Sequence, residues 1–420
     1  MVILDLFSGA GGLAEGFFRE GATFVGHVEA DAHACDTLRT RTAYWNLKND
    51  NRLDIYHNYL LKKITRDELW EEANVINSND VINTMISDDT FSDITKKIKQ
   101  NLKEKNIKKI DIIIGGPPCQ AYSVVGRARM KESVSNDPRN LLYQYYVRFL
   151  EEFKPKMFVF ENVPGLRTAG GGQYFQDLKI ALDKAGYHIE FDELIASDYG
   201  VLQNRKRIII IGWKKDKQRK NHTYTYPKFE KIENKYLVAD VLNDLPETKP
   251  NRMIEGKGKY RTKTNEYLKM SKIREDGFDI LTQHETRMHN ERDLEIYKEA
   301  ITAWNKDKKR LCYAELATRR KELITHNNTH SFTNRFNVIK ADQPASHTIL
   351  AHMAMDGHYY IHPDIKQLRS LSVREGARLQ SFPDDFYFEG PRTAQFRQIG
   401  NAVPPKMAEQ IAKKIKEILG

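Results

Sequence analysis

Short apolar runs alternate with amphipathic stretches over the first half of this chain. Five runs are almost continuous in apolar residues, which is typical of strands buried on both faces of a sheet: "MVILDLF", "FVGHVEA", "IDIIIGG", "KMFVFENV" and "RIIIIGW". Several of the segments between them have helical spacing. The alternation therefore predicts an α/β fold with a doubly wound, mostly parallel sheet up to about residue 213.

Helix signals mark two further elements. Asp137 can cap a helix that begins at Pro138, and one face of this helix is apolar, with Leu142, Tyr145, Phe149 and Phe153. The closing stretch "KMAEQIAKKIKEIL" has an apolar stripe that predicts a helix packed on the sheet, formed by Met407, Ile411, Ile415 and Ile418. Residues 46–90 are polar and rich in asparagine, and we interpret them as an insertion into the alternating pattern.

The second half of the chain has a different character and carries its net charge. From about residue 214 the sequence is polar, dotted with tyrosine and without a βα rhythm, which indicates a second domain. Between Lys214 and Lys340 there are 29 Lys and Arg against 19 Asp and Glu, an excess that equals the whole net charge of +10. Either a polyanionic partner or an ordinary lysine-rich surface explains this excess.

Cysteine spacing and hydropathy exclude several classes of protein. Cys35, Cys119 and Cys312 lie far apart without a C-x-x-C pair, so neither a disulfide framework nor a thiolate zinc site is indicated. No apolar run approaches the roughly 20 residues of a membrane span, and no basic leader precedes the apolar N-terminus. We expect a cytoplasmic protein.

The stretch "DLFSGAGGLAEGF" is the first candidate site. A strand ends at Phe7, and the pattern G-x-G-x-x-A follows at Gly9, Gly11 and Ala14. This pattern lets a ligand approach the backbone where a helix begins. Glu29 ends the next strand, where it is placed to accept hydrogen bonds from ribose hydroxyls. NAD, FAD and S-adenosylmethionine (AdoMet) all carry that ribose, and a purely structural glycine turn is the alternative.

Two more strand ends carry reactive side chains. "GGPPCQAYS" places Cys119 beyond a buried strand, where open parallel sheets bind ligands, and the proline pair limits drift of the sulfur. Cys119 would attack as a thiolate, although most free cysteines are small buried hydrophobes instead. "KMFVFENVPGL" delivers Glu161 to the same edge. This carboxyl could be a helix cap, a surface acid or a group that gives a proton or hydrogen bond to a substrate.

Six stretches follow one another in an order that resembles a known family. They are "DLFSGAGG", "GGPPCQAYS", "ENVPG", "QNRKRIIIIG", "LSVREGARLQSFPDDF" and "QIGNAVPP". Together they resemble the motifs of the DNA (cytosine-5) methyltransferases, on both flanks of the chain. No long extension precedes the first stretch, which favours the bacterial restriction-modification type. The resemblance implies the Rossmann-like sheet of AdoMet-dependent methyltransferases.

The resemblance also implies a reaction. A methyl group would pass from AdoMet to carbon 5 of a cytosine that is flipped out of a specific duplex DNA sequence. Cys119 would add to carbon 6 and form a covalent adduct, while Glu161 would hold ring nitrogen 3. Arg205 and Arg207 of "QNRKR" would orient the base and stabilise the adduct; a surface ion pair is their alternative role.

A cofactor pocket and a set of DNA contacts follow from the same resemblance. AdoMet, which leaves as S-adenosylhomocysteine, would be held by Phe7, Gly9, Gly11, Leu13, Glu29, Asp93, Pro118, Leu142, Asn401 and Val403. In this pocket the last motif would fold back onto the first. The stretch after Cys119 resembles the closing loop of the family and would contact DNA through Ser123, Arg127, Arg129 and Lys131.

The family's organisation suggests two domains and their partners. Residues 1–225, completed by 395–420, would form the catalytic AdoMet-binding domain. The smaller, basic part, 226–394, would be the target-recognition domain with its return connection. Double-stranded DNA is the expected partner, and a separately acting restriction endonuclease is a candidate one. We expect a monomer that does not bind a membrane. We also expect no metal site, because the four histidines of the return connection have no metal-binding spacing: His347, His352, His358 and His362.

Three rival functions are weaker. A tRNA cytosine-5 methyltransferase of the same fold would have a shorter segment between the arginine and penultimate motifs and a Cys-Phe-Thr stretch, which is missing here. A DNA-binding regulator without catalysis would have a damaged Cys119 or Glu161 motif. An NAD-linked thiol dehydrogenase would leave the basic third of the chain and "QNRKR" unexplained.

Overall fold

The computed structural model describes residues 1–118, 142–215, 225–324 and 333–420. Its main sheet has seven strands: β1 (Val2–Leu6), β2 (Thr23–Glu29), β3 (Val81–Asn83), β4 (Ile112–Gly115), β5 (Met157–Asn162), β6 (Tyr187–Ile195) and β7 (Lys206–Lys214). A smaller sheet pairs β8 (Met253–Lys257) with β9 (Ile280–Glu285).

The helices of the described ranges fall into two groups along the chain. Those that precede β7 are α1 (Gly12–Arg19), α2 (Ala32–Asn49), α3 (Leu53–Leu60), α4 (Arg66–Glu72), α5 (Asp88–Glu104), α6 (Leu142–Phe153) and α7 (Gln173–Lys184). Those that follow it are α8 (Glu266–Met270), α9 (Glu291–Asp307), α10 (Tyr313–Arg319), α11 (Val373–Leu379), α12 (Arg392–Asn401) and α13 (Pro405–Leu419).

The main sheet is doubly wound and mostly parallel, as predicted. Its strand order is β3-β2-β1-β4-β5-β7-β6, and only β7 runs against its neighbours. The five predicted runs became β1, β2, β4, β5 and β7. The chain reverses direction across the sheet between β1 and β4, and ligands bind beyond the carboxyl ends of strands at such a switch point.

Both faces of the main sheet are covered by helices. Leu4 and Leu6 of β1 pack in an apolar cluster with α5, α6 and α7, whereas Ile3 faces α1 and α13. The predicted final helix is confirmed as α13, with Met407, Ile411 and Ile415 buried against the sheet. Ile418 was expected on the same stripe but is 43% exposed, because it lies in the last turn, beyond the covered surface.

The segment 46–90 is largely helical. It holds the end of α2, all of α3 and α4, and the edge strand β3. Thr65 caps α4 in a capping box with Glu68, a local signal for a helix start. This insertion therefore contributes to an apolar cluster in which Tyr56 and Trp70 pack with Ile280 of β9.

The region after β7 packs directly against the turn between β1 and α1. One apolar cluster joins Ala10 and Leu202 to Val238, Leu371 and Ala402. The predicted boundaries near 225 and 395 therefore run through a shared core, and the division into two domains stays a prediction. None of the helices in the described ranges is long and apolar enough to cross a membrane.

The histidines of the return connection make separate local contacts. His347 donates to the carbonyl of Tyr359 at 2.7 Å, His358 lies 2.8 Å from the hydroxyl of Tyr297, and His352 is exposed. Within the part of the chain that the structure describes, no group of three His, Cys, Asp or Glu is placed to hold a metal ion.

Three buried histidine side chains lead us to expect that the protein is less stable in acid. Burial lowers the pKa of His289 and of His362 to about 3, and that of His347 to about 4. In the unfolded chain these rings bind protons near pH 6.5, so the unfolded state takes up more protons as the pH falls. The free energy of unfolding should decrease below about pH 6.5, by up to about 1.4 kcal/mol per pH unit for each ring.

Urea unfolding at pH 7.5, 6.0 and 5.0 measures this dependence. His347→Gln should make the slope between pH 6 and 5 shallower, because it removes one of the buried rings whose pKa is lowered. An equal free energy of unfolding at all three pH values would contradict the expectation.

Candidate active site

The first motif forms a left-handed turn between β1 and α1. Phe7, Gly9 and Gly11 have φ values of 55°, 54° and 82°, and Gly11 is the residue that precedes the helix. A β-carbon at Gly9 would meet no atom within 4 Å. The turn therefore faces open space at the carboxyl edge of the sheet, which leaves its backbone accessible to a ligand.

Glu29 ends the neighbouring strand and binds this turn. Its carboxylate accepts hydrogen bonds of 2.8 Å from the backbone N–H groups of Gly9, Ala30 and Asp31. Burial raises the pKa of Glu29, and the three amide hydrogen bonds oppose that rise. The predicted ribose carboxylate and the predicted glycine turn thus form one unit.

Glu161 and Asn162, at the end of β5, contact the segment that leads to Cys119. A β-carbon at Gly116 would lie 2.5 Å from Oε2 of Glu161, so a side chain at this position would displace the carboxylate. The amide of Asn162 donates to the carbonyl of Pro117 at 3.1 Å. Asn162 was not assigned a role from the sequence, yet it fixes the backbone two residues before Cys119.

An ion pair joins Glu161 to Arg207. Nε of Arg207 contacts Oε1 of Glu161, and the two side chains are only 9% and 12% exposed. Arg207 also donates to the carbonyl of Lys206 at 2.8 Å. These residues come together because β5 and β7 are paired neighbours, so one oxygen of the carboxylate is occupied and Oε2 points toward Gly116.

Arg205 has different surroundings from Arg207. It is completely buried and donates to the carbonyls of Ile349 at 2.8 Å and Gly400 at 3.1 Å. Burial lowers the pKa of its guanidinium, and the nearby charge of Arg207 acts in the same direction. The described contacts make Arg205 a link between backbone segments, and its contact with a base stays a prediction.

Gln203 is a buried link that the sequence interpretation missed. Its Oε1 accepts from the N–H of Ile349 at 2.9 Å, and its Nε2 donates to the carbonyl of Leu379 at 2.9 Å and to Oε1 of Gln380 at 3.0 Å. Gln380 in turn donates to the carbonyl of Ile399 at 2.7 Å. The first residue of "QNRKR" therefore joins the last two motifs to the catalytic edge.

The remaining predicted cofactor residues fall into two groups. Leu13 lies buried in α1, and the carbonyl of Val403 lies 2.4 Å from where a β-carbon of Gly12 would be. The last motif therefore does fold back onto the first. Pro118 and Asn401 are exposed and Leu142 is half-buried at the described start of α6, and their contacts with a cofactor stay predictions.

Asp93, which the resemblance assigned to adenine, is exposed and lies within α5, and its contact with a cofactor stays a prediction. Strand β3 ends ten residues earlier at Asn83, whose amide donates to the carbonyls of Glu29 at 3.3 Å and Ala30 at 3.1 Å. The three-residue strand is hidden in the insertion, so no sequence pattern marked Asn83.

The predicted nucleophile and the stretch that follows it lie outside the described residues. This applies to Cys119 and to the predicted DNA contacts Ser123, Arg127, Arg129 and Lys131. Their roles stay predictions. From β5, Glu161 and Asn162 contact the segment immediately before Cys119.

Comparison with known proteins identifies the family. Residues 73–417 match the family model of the C-5 cytosine-specific DNA methylases. The chain belongs to this family. The Type II methyltransferase M.Bpa9945I of Bacillus paralicheniformis is 41% identical over 100% of this chain and 99% of its own length. The Type II methyltransferase M.FnuDI of Fusobacterium nucleatum is 30% identical over 100% and 95%.

Solved structures extend the similarity of this methylase to three dimensions. A putative DNA modification methyltransferase encoded within an E. coli prophage is 25% identical, with a TM-score of 0.62 over 100% of this chain and 99% of that one. The S. pombe Dnmt2 methyltransferase shares the fold, at 14% identity and a TM-score of 0.52 over 100% and 99%. The chain is thus a DNA cytosine-5 methyltransferase of the bacterial restriction-modification type.

Proposed function

We propose that this enzyme transfers a methyl group from AdoMet to carbon 5 of a flipped-out cytosine in a specific duplex sequence, through a covalent adduct of Cys119 at carbon 6. One observation carries the proposal. Glu161, paired with Arg207, lies beside Gly116 at the end of β5, so the segment that leads to Cys119 follows the strand between Glu161 and the glycine turn of β1.

The residues divide the chemistry between them. Carbon 5 of cytosine is a poor nucleophile, and addition of the Cys119 thiolate to carbon 6 makes it an enamine carbon. Glu161 gives a proton to ring nitrogen 3 as the sulfur adds, which neutralises the developing negative charge on the ring. Arg207 holds Oε1, so Oε2 is the oxygen that faces the ring. Once carbon 5 carries the methyl group, loss of its proton to a base expels the cysteine as a thiolate, and ring nitrogen 3 returns its proton to Glu161.

The glycine turn and Glu29 fit AdoMet. The bound cofactor supplies an electrophilic methyl on its sulfonium and leaves as S-adenosylhomocysteine. Gly9 offers open space beside its backbone, and the Glu29 carboxylate keeps one unused lone-pair site, on Oε2, after its three amide bonds. A ribose hydroxyl can donate to that site, and we assign the apolar contacts of the cofactor to the buried side chains Leu13 and Val403.

Removal of the Glu29 carboxylate should weaken AdoMet binding. Glu29→Ala loses charge-assisted hydrogen bonds to the ribose and loosens the turn at Gly9, so the dissociation constant should rise about tenfold or more. Titration calorimetry with AdoMet measures it, with Glu71→Ala, an exposed carboxylate of α4, as the control. An unchanged constant for Glu29→Ala would remove this residue from the cofactor site.

DNA contacts complete the proposal. Flipping a cytosine requires a few kcal/mol, which phosphate contacts must supply. We assign them to the basic region 226–394 and to Ser123, Arg127, Arg129 and Lys131. We further place the enzyme in the cytoplasm as a monomer, with a separate endonuclease that cuts the same unmethylated sequence.

Transfer of labelled methyl from AdoMet to unmethylated duplex DNA tests the proposed reaction, with tRNA as the alternative substrate. Label on DNA, recovered as 5-methylcytosine after digestion to nucleosides, is the expected result. Label on tRNA alone would move the function to RNA modification, and label on neither would revive the DNA-binding regulator.

A further inference from the structure

The insertion between α2 and β3 is the largest feature that the proposed reaction does not use. Its helix α3 (Leu53–Leu60) covers the smaller sheet, where Leu60 shares an apolar cluster with Ile280 of β9. The ring of His57 also lies 5.9 Å from the ring of Phe278. A two-stranded sheet is marginal in water on its own, so this cover contributes to its stability.

β9 contains a β-bulge close to the helix α3. The register shifts between Ile254 and Gly256 of β8, so two residues of β9, Thr282 and Gln283, stand opposite Glu255. Gln283 has a φ of 57°, a left-handed conformation that is unfavourable for a residue with a side chain. Bulges bend a strand, so whatever fixes this one sets the direction of β9.

Contacts from the return connection hold the bulge on one side. The side-chain amide of Gln283 donates to the carbonyl of Phe388 at 2.6 Å and accepts from its N–H at 3.1 Å. The buried Arg374 donates to the carbonyl and the hydroxyl of Thr282, at 3.1 and 2.7 Å. The N–H of Gln283, which the bulge takes out of the ladder, donates to Glu255 at 2.8 Å.

The insertion holds the bulge from the other side through Lys62. Nζ of Lys62 contacts the same Glu255 carboxylate, which thus links α3 to the bulged N–H of Gln283. Lys62 follows the end of α3 with a φ of 59°, a position where the backbone favours glycine. The side chain at this position therefore makes a contact that a glycine, which the backbone there favours, would not make.

β9 leads from the bulge to the catalytic edge. Arg287, four residues later, donates to the carbonyls of Met353 at 2.6 Å and Met355 at 2.9 Å. In the same turn, the N–H nitrogen of Ala351 would lie 2.1 Å from a β-carbon on Gly400, whose carbonyl accepts from Arg205. The contacts of Arg287 and of Gly400 thus connect the bulge of β9 to Arg205, which lies two residues before Arg207 in the chain.

We propose that Lys62 is a positioning residue for target recognition: through Glu255 it fixes the bulge of β9, and with it the placement of the basic region against the catalytic edge. This inference rests on the proposed function, which assigns 226–394 to DNA. A displaced reading surface should change which sites are accepted more than it changes the chemistry at an accepted site.

Two substitutions of Lys62 separate positioning from folding. Lys62→Gly removes the pair and suits the left-handed backbone, so thermal stability should not fall. Lys62→Glu replaces the ion pair by two carboxylates, those of the new side chain and of Glu255, which repel each other. Lys63→Glu is the matched control: it makes the same charge change at an exposed neighbour for which the described residues show no ion pair.

Bisulfite sequencing of unmethylated plasmid DNA treated with each protein gives the readout. For Lys62→Glu, methylation at sites whose sequence differs by one base pair from the site that the wild type prefers should rise about fivefold relative to methylation at the preferred site. Lys62→Gly should give a smaller rise, and Lys63→Glu none, with an unchanged AdoMet dissociation constant throughout.

The possible failures can be told apart. If both Lys62 variants keep the site preference of the wild type and of Lys63→Glu, the positioning role is overturned while the proposed function stands. If the wild type methylates no cytosine, the proposed function fails and the inference fails with it. A loss of folding in Lys62→Glu leaves Lys62→Gly to decide.

Discussion

Cys119→Ala should abolish methyl transfer and leave duplex binding largely intact. Without the thiolate, carbon 5 never becomes an enamine carbon, so the rate should fall by at least about four orders of magnitude. The phosphate contacts do not involve the sulfur, and a gel-shift titration should give a dissociation constant near that of the wild type. Labelled-methyl transfer and gel shift on the same DNA measure both effects.

The other cysteines provide the controls. Cys35 is completely buried, and burial raises the pKa of its thiol to about 12, so it cannot supply a thiolate. Cys312 is half-buried before α10, far along the chain from the catalytic motifs. Cys312→Ala should keep full activity. Strong residual transfer in Cys119→Ala would show that another group is the nucleophile.

Glu161→Gln should lower kcat by about 100-fold to 1000-fold while the dissociation constants of AdoMet and DNA change little. The amide keeps the shape of the carboxyl beside Gly116 but cannot give up a proton to ring nitrogen 3. It also breaks the ion pair with Arg207. Single-turnover methyl transfer at saturating DNA measures the chemical step separately from binding.

Glu193→Gln is a matched control for this change. Glu193 lies on β6 of the same sheet and pairs with Lys206 at 3.2 Å, so the substitution also neutralises a strand carboxylate beside a cation. Its kcat should stay within about twofold of the wild type, because an exposed pair contributes little. Equal losses in the two variants would assign the Glu161 effect to general electrostatics.

The buried strands could be predicted because burial on both faces leaves a continuous apolar run. The sequence pattern did not predict β3 and β6, for two different reasons. β3 has three residues inside a polar insertion, and β6 alternates polar with apolar side chains near the edge of the sheet. The start of α6, predicted at Asp137 and Pro138, lies outside the described residues.

The site was predictable where a strand end fixes a side chain and unpredictable where packing does. Glu29 and Glu161 each end a central strand, so their positions at one edge followed from topology. The burial of Arg205 depends on the carbonyls of Ile349 and Gly400, more than 140 residues away in the chain. Asp93 was matched to a short motif beside the insertion; it lies within a helix, and its contact with adenine stays a prediction.

The central claim is that Cys119 attacks carbon 6 of a cytosine in DNA, and a trapping experiment tests it most directly. In duplex DNA made with 5-fluorocytosine, the fluorine at carbon 5 cannot leave as a cation, so the adduct cannot be resolved. With AdoMet present, the wild type should form a protein–DNA complex that survives a denaturing gel, and peptide mapping should place the nucleotide on Cys119. Absence of the complex, or attachment at another residue, in a preparation that methylates ordinary DNA would contradict the account.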